Sequence, residues 1–354
     1  MPGKIILINN FFAMQKQLFI FPLVCGIILF CQRSYGQQEK PLTTGVINWT
    51  DPSMEALITR GTRIEVMASG MQNAEGPVWI RDSSLLLFSD TKGQAIYRLP
   101  LRGERTKFLD HSGFTGRPPY GEEPGTNGLA LTPAGDLLIC EHGDRRIAAY
   151  PLNGNYGKRT LTDNYGGKRL NSPNDLIIKS DGAVYFTDPP YGLPLKEADP
   201  YKETPVNGVY RMEKSGKTAL LTGELKYPNG LAFSPDEKLL YISVSDQQRP
   251  RIMMYPVKAD GSLGTSQVFF DAAGLPRERI REVTDGLKVD RQGNVWATGP
   301  GGLLVINPGG KLLGTIQTGE IFTNCAWSSD GALYITAGAF VYRVNTNTGG
   351  AGIR

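Results

Sequence analysis

From about Thr62 to Asn345 the apolar residues of this chain alternate with polar ones at a period of two, and turn residues interrupt the alternation about every 8 to 12 positions. No stretch sustains a helical period, so the pattern predicts an all-β body. The pattern also repeats. Six times an Asn, Asp or Glu stands immediately before a short apolar strand: Glu75-Gly-Pro-Val-Trp, Asn127-Gly-Leu-Ala-Leu, Asn174-Asp-Leu-Ile-Ile, Asn229-Gly-Leu-Ala-Phe, Asp285-Gly-Leu-Lys-Val and Asn324-Cys-Ala-Trp-Ser. After the opening strand comes a turn such as Thr132-Pro-Ala-Gly-Asp136, Lys179-Ser-Asp-Gly182, Ser234-Pro-Asp-Glu-Lys238, Asp290-Arg-Gln-Gly-Asn294 or Ser328-Ser-Asp-Gly331. Asp or Gly takes the position that needs positive φ or a local side-chain hydrogen bond. A second strand follows, then a third at Ala95–Leu99, Ile147–Pro151, Gly208–Met212, Ile252–Val257, Leu303–Asn307 and Val341–Asn345.

Openers recurring 39 to 56 residues apart suit four-stranded propeller blades better than a solenoid. The expected fold is therefore a six-bladed β-propeller of four-stranded antiparallel blades over residues 62–346, with 347–354 as a tail. The sixth repeat stops after three strands near Asn345, while Arg63–Ala68 is a strand-like run ahead of the first opener. That N-terminal strand is expected to complete the last blade and close the ring. Residues 37–61 are polar and aperiodic, and read as a linker or an arm on the surface.

Residues 1–36 read as an export signal: Lys4 and Lys16 precede an apolar run from Leu18 to Phe30, and the small residues Ser34 and Gly36 precede Gln37. Met14 offers an alternative start. The apolar run is short for a membrane span of about 20 residues, and Phe30 before Cys31 is too bulky for lipoprotein cleavage, so a periplasmic or secreted protein is expected, with no membrane after signal removal. Losing that segment deletes Lys4, Lys16 and Arg33 and no acid, which lowers the formal charge from +4 to +1. No basic footprint for nucleic acid remains. Cys25 and Cys31 leave with the signal, and Cys140 and Cys325, inside strand-like runs, are expected as buried free thiols.

A surface strand has no need of an oxygen-bearing side chain at its first position in every copy, but a ring of strands around a common axis gathers those oxygens. Within a blade the first residue of the first strand and the last residue of the second share one mouth. The openers therefore meet Asp90, His142, Asp188 and the Ser245-Asp246 pair there, with Gly299 and Ala337 leaving one side open. Glu75 and Asp285 bring two negative charges, and Asn127, Asn174, Asn229 and Asn324 bring amide oxygens. Two carboxylates plus carbonyl oxygens suit Ca²⁺, which takes about 6 to 8 oxygen ligands; Zn²⁺ or Mn²⁺ could enter the same site, although no Cys or His ligand marks it as a dedicated zinc site. The plainer alternative is that Asn-Gly and Asp-Gly pairs only shape the entry to each strand. Other chemistries lack their motifs: the chain has no Gly-x-Ser-x-Gly, no His-Glu-x-x-His, no phosphate-cradling Gly-rich loop and no Cys-x-x-Cys.

From about Ala74 to Ile335 the chain resembles the senescence marker protein, gluconolactonase and luciferin-regenerating-enzyme-like family of six-bladed propellers. The motifs that carry the resemblance are Glu75-Gly-Pro-Val-Trp79, Cys140-Glu-His-Gly-Asp-Arg-Arg146, Asn171-Ser-Pro-Asn-Asp-Leu176 leading to Tyr185-Phe-Thr-Asp-Pro-Pro-Tyr-Gly192, Pro228-Asn-Gly-Leu-Ala-Phe-Ser-Pro-Asp236 and Thr284-Asp-Gly-Leu287. The third is similar to the bacterial gluconolactonase branch. The resemblance implies that Glu75, Asn229 and Asp285 hold a divalent metal, with Asn174 on its open side contacting it, the substrate or a bound water. It also implies Asp285 as general base and Asp175 as proton shuttle. The implied reaction opens a sugar lactone: the metal polarises the ester carbonyl and a carboxylate helps deliver water.

Two positions depart from the animal members of that family. Ser172 stands where they carry an arginine, and Gly192 near where they carry a substrate-contacting glutamate. Tyr191, His142 and the insertion Arg117-Pro-Pro-Tyr-Gly-Glu-Glu123 are the nearest replacements, and Asn127 and Asn174 complete the expected substrate contacts. The insertion is either a lid or a plain surface loop, and His142 either a site group or a hydrogen-bond partner of a neighbouring blade. Asp188 in Thr187-Asp-Pro-Pro is read as a turn-former. The function expected is a monomeric lactonase for a small sugar lactone. The alternatives are another metal-dependent esterase, for an aryl ester or phosphotriester, and a non-catalytic ligand-binding propeller.

Overall fold

The computed structural model describes residues 42–117, 120–154 and 157–352; the expected signal at 1–36 lies outside them. Six antiparallel blades follow one another along the chain, with a two-stranded hairpin of Asn164–Tyr165 and Lys168–Arg169 between the second and third. Blade 1 is built from Ala74–Ile80, Leu85–Asp90, Ala95–Pro100 and Thr106–Asp110, and blade 2 from Thr126–Leu131, Asp136–Glu141, Arg146–Pro151 and Arg159–Thr162. Blade 3 comprises Leu176–Ile178, Val184–Asp188, Gly208–Met212 and Thr218–Thr222, and blade 4 comprises Pro228–Phe233, Leu239–Val244, Arg251–Pro256 and Gln267–Asp271. Blade 5 is Leu287–Val289, Val295–Gly299, Gly302–Ile306 and Leu312–Gln317, and blade 6 is Asn324–Trp327, Ala332–Ala337 and Phe340–Asn345. The ring is the expected six-bladed β-propeller.

The closing strand of blade 6 comes from the other end of the chain. Ile64–Ser69 pairs antiparallel with Phe340–Asn345, Ile64 opposite Val344 and Ser69 opposite Phe340, where the unpaired run ahead of the first opener was expected.

The segment before it is more than a surface arm. Val46–Trp49 adds a fifth strand to blade 5, with Val46 opposite Gln317 and Trp49 opposite Gly314, and Thr43–Thr44 extends blade 6. A 3₁₀ turn at Pro52–Ala56, begun by Asp51 accepting the Ser53 N–H, then drives Met54 and Ile58, both fully buried, into the core between blades 5 and 6 beside Trp296, Leu303 and Trp327. The polar composition of 37–61 hid these anchors. Covering two outermost strands also removes edges that could pair with another chain.

Cys140 and Cys325 are free and buried in second and first strands respectively, as expected. No helix among the described residues is long and apolar enough to cross a membrane.

Candidate active site

In five of the six blades the first strand does not run smoothly into its opener; in blade 6 Asn324 pairs regularly with Thr336. The ladder slips between Glu75 and Val78, between Thr126 and Leu129, and between Pro228 and Leu231. In blades 3 and 5 pairing starts only after the opener, at Leu176 and Leu287. Such irregularities re-aim side chains out of the alternating pleat.

The glycine after four of the openers has a steric reason. A Cβ on Gly76, whose φ is +49°, would lie 1.9 Å from the Asn127 carbonyl oxygen, and one on Gly128 would lie 2.7 Å from the Asp175 Cα. Gly230 meets the Asp285 backbone and Gly286 meets Asn324 in the same way. Each opener therefore abuts the next blade's opener, and hydrogen bonds tie them: Gly128 N donates to the Asn174 carbonyl at 2.7 Å, and Gly230 N to the Asp285 carbonyl at 3.2 Å. The glycines thus answer to close packing between neighbouring openers rather than to a turn into each strand, and of the four only Gly76 has a positive φ. That packing leaves the polar oxygens unexplained.

Of the two openers that lack the glycine, Asn324 is followed by the core residue Cys325, and Asn174 by a side chain that enters the centre. Asp175 follows Asn174 in place of glycine, is buried, and accepts the Leu176 N–H at 2.8 Å through Oδ1. Its Oδ2 receives the Asn324 Nδ2 at 3.3 Å and lies 3.7 Å from the Lys288 Nζ. Lys288 also donates to the Asn324 Oδ1 at 3.2 Å. The sequence reading missed Lys288. A lysine between the buried Leu287 and Val289 on an innermost strand has only the channel to face, and that signal was available.

Glu75 and Asp285 are both buried carboxyls raised above their ordinary range, and the charge of Glu75 is felt at Asp285. Burial pushes the Glu75 carboxyl up, the charges of Asp175 and Glu123 add to this, and the Gly76 N–H and Asn324 amide oppose it. Asp285 is raised well above the carboxylate range, first by desolvation and then by Glu75, Glu123 and Asp175, with Asn229 opposing. Its Oδ1 is buried and has no hydrogen-bond partner.

Among the described residues no three His, Cys, Asp or Glu side chains cluster tightly enough to hold an ion by themselves. The oxygen set here is two carboxylates and amides. An orphaned carboxylate oxygen beside a second repelled carboxylate fits a divalent cation, which would satisfy both.

The remaining expected residues divide. Asn229 is buried and its Nδ2 donates to the Ser245 hydroxyl at 3.0 Å, which leaves its amide oxygen uncommitted; Ser245 in turn donates to the Thr284 carbonyl at 2.7 Å and so fixes the approach to Asp285. Asn127 and Asn174 are buried within the ring of openers, tied through their backbone carbonyls. Tyr191 stacks on Tyr227 with ring centroids 6.1 Å apart, and its buried hydroxyl, beside Ser245 and Asn229, has no hydrogen-bond partner. His142 is fully buried, with Nδ1 3.1 Å from the Glu123 carbonyl oxygen. Desolvation holds its pKa down at about 4, so it stands as a neutral prop under the insertion and presents no surface to a substrate. Glu123 itself, the last residue of that insertion, contributes negative charge at Glu75, Asp285 and Tyr191, which places that residue at the mouth.

The acids at the second-strand ends hold loops. Asp90 accepts the N–H groups of Gln72 at 3.0 Å and Asn73 at 2.9 Å, just before Glu75. Asp188 accepts those of Asn171 at 2.7 Å and Ser172 at 2.8 Å, just before Asn174. They position the openers, and the channel does not see their charge directly.

The chain matches the family described as the SMP-30/gluconolactonase/LRE-like region over residues 73–339. It is 39% identical to a gluconolactonase of Zymomonas mobilis over 324 residues, which cover 87% of this chain and 88% of that protein. A solved gluconolactonase from Xanthomonas campestris superposes with a TM-score of 0.74 at 30% identity, over 86% of this chain and 96% of the other. A calcium-binding regucalcin from Agrobacterium tumefaciens shares the fold at a TM-score of 0.63 and 19% identity, over 80% of this chain and 94% of its own. The chain therefore belongs to the SMP-30/gluconolactonase/LRE-like family.

Proposed function

We propose that this protein is a metal-dependent lactonase that opens a sugar lactone of the gluconolactone type. The observation that carries the proposal is the pair of buried carboxylates, Glu75, raised by burial and by the charges of Asp175 and Glu123, and Asp285, raised by burial and by the charge of Glu75, with the Asp285 Oδ1 left unsatisfied at the channel mouth. Family membership and the relatives named gluconolactonase support the substrate class. Glu75, Asn229 and Asp285 would hold the cation, Ca²⁺ by the hardness of its oxygen donors, with Asn174 on the open side. When bound, such a cation supplies a localised positive charge for the ester carbonyl oxygen and for the oxyanion that develops from it.

The chain's own groups do the rest. Asn174 and Asn127 present amides to the lactone from the neighbouring blades, and the unpartnered Tyr191 hydroxyl is available to a ring hydroxyl. Asp285, with one oxygen free of protein donors, takes the proton of the attacking water. Asp175, beside Asn174 and held by Leu176 N, Asn324 and Lys288, receives that proton from Asp285 and passes it to the ring oxygen as it leaves. Export, with residues 1–36 as the signal, and a monomeric state belong to the same proposal.

Asp285→Asn and Glu75→Gln should each abolish hydrolysis of glucono-δ-lactone while the fold survives, as read by circular dichroism and acid release at constant pH. Full activity in both variants refutes the site. A preference for an aryl ester over the sugar lactone would keep the site and change the substrate class.

A further inference from the structure

A cavity opens on the described surface away from the ring of openers. It measures about 510 Å³ and lies off the axis, beside blades 2 and 3, walled by Phe114, Tyr120, Leu193, Pro194, Arg145 and Arg169; none of the six openers lines it. Its volume is that of a small-molecule site.

The polar groups around it are unequally engaged. Asp144 accepts the Thr115 N–H at 3.0 Å and also the Thr115 hydroxyl. Asp199 accepts the N–H groups of Leu195 at 3.0 Å and Tyr201 at 2.9 Å, and Glu203 accepts the Arg169 N–H at 2.8 Å. The acids are therefore committed to loop backbone. Arg145 is not matched in this way. It is buried, at 4% exposure, and its hydrogen bonds run through Nε to the carbonyls of Leu170 at 2.7 Å and Asn171 at 3.1 Å. Its Nη2 is buried without a partner, and no carboxylate among the described residues comes within ion-pair distance of it. Arg145 also sits in the left-handed region at φ 57°, a strained backbone state for a residue other than glycine. A buried guanidinium without a carboxylate is costly unless something anionic completes it.

We propose that this cavity is a second ligand site, separate from the channel, that takes a small organic carboxylate. The carboxylate meets the Arg145 guanidinium, whose Nη2 has no protein partner and whose planar donors match a carboxylate in geometry, and Arg169 adds charge at the rim. The Phe114–Tyr120 pair, stacked at 4.4 Å between centroids, offers a flat face to the ligand's carbon skeleton. The same Arg145 holds the carbonyls of Leu170 and Asn171, at the start of the segment that ends at Asn174 and Asp175. An aldonate is the natural probe, because opening a sugar lactone yields a carboxylate; only this choice of probe rests on the proposed activity.

The test is calorimetric titration of gluconate, with uncharged glucose as the control, into the wild-type protein and into Glu75→Gln, both in chelator so that the channel lacks its cation. That background removes channel binding. The expected result is one gluconate per chain in both proteins, no binding of glucose, and an affinity at least tenfold weaker in Arg145→Met. If Arg145→Met does not fold, Arg145→Lys, which keeps the charge without the fork, and Arg169→Ala at the exposed rim should each weaken binding severalfold. Loss of gluconate binding in Glu75→Gln would assign it to the channel and overturn the second site. So would equal binding of glucose, undiminished binding in the arginine variants, or no binding at all. A failure of lactone turnover leaves this test standing, and the reverse holds too.

Discussion

Glu75→Gln should make the metal-free protein more stable at pH 8 even as it destroys the site. The Glu75 carboxyl is 4% exposed, and burial, aided by the neighbouring acids, pushes its pKa from 4.5 up to about 8. Because the folded pKa is raised, the native state binds more protons than the unfolded chain between those values. Stability of the metal-free protein is therefore full below about pH 4.5 and declines as the pH rises towards 8. At about 1.4 kcal/mol per pKa unit the decline is on the order of 4–5 kcal/mol, which for a domain of this size moves the melting temperature by roughly 10 °C. A neutral glutamine keeps the shape and removes the slope. The assay is thermal unfolding of wild type and Glu75→Gln in chelator from pH 4.5 to pH 9, repeated with excess Ca²⁺. The variant should melt higher than wild type at pH 8 in chelator, converge with it near pH 4.5, and gain nothing from Ca²⁺. Wild type should recover its lost stability on adding the ion. A Glu75→Gln protein that melts lower than wild type at pH 8 in chelator would falsify the repelled-carboxylate account.

Three further outcomes are expected. A chain begun at residue 70 loses Ile64–Ser69 and with it the partner of Phe340–Asn345, so it should show no cooperative melt by near-UV circular dichroism; a native-like melt would mean that the closing strand is dispensable. His142, held at about 4 against an ordinary 6.5, binds fewer protons folded than unfolded between those values, so it lowers stability by about 3 kcal/mol as the pH falls through that window. His142→Gln should flatten this acid limb in urea titrations, and an unchanged limb would contradict its burial as the neutral form. Asp188→Ala frees the N–H groups of Asn171 and Ser172 and should lower kcat/KM on the lactone by roughly 10–100-fold through misplacement of Asn174 and Asp175, while Asp188→Asn, which keeps one acceptor, should recover part of the loss.

The blades were readable because their strands alternate and their turns are built from Pro, Asp and Gly. The third strands lie within a residue of where the pattern puts them, as at Ala95–Pro100 and Gly208–Met212. The arm at 43–58 was not readable, since its anchors Met54 and Ile58 sit among polar neighbours and bury themselves only against blades 5 and 6. The openers were legible as a set because a polar residue ahead of an apolar strand is costly to repeat without a purpose. Their division of labour was not. Which acids face the channel depends on tertiary hydrogen bonds such as those that engage Asp90 and Asp188, and the burial of His142 under Glu123 depends on how the insertion returns to blade 2. Lys288 was missed because a single lysine in a strand ordinarily marks a solvated face, whereas on the innermost strand that face is the channel.

The central claim, that Glu75 and Asp285 serve a divalent cation in opening a lactone, is tested most directly by glucono-δ-lactone hydrolysis. Chelator-stripped protein comprising residues 37–354 would be refilled in turn with Ca²⁺, Zn²⁺ and Mn²⁺, and acid release followed at constant pH. The account predicts turnover above the spontaneous rate that vanishes with chelator and returns with at least one of these ions. Turnover at full rate in chelator, or none with any ion despite stoichiometric metal binding, would contradict it.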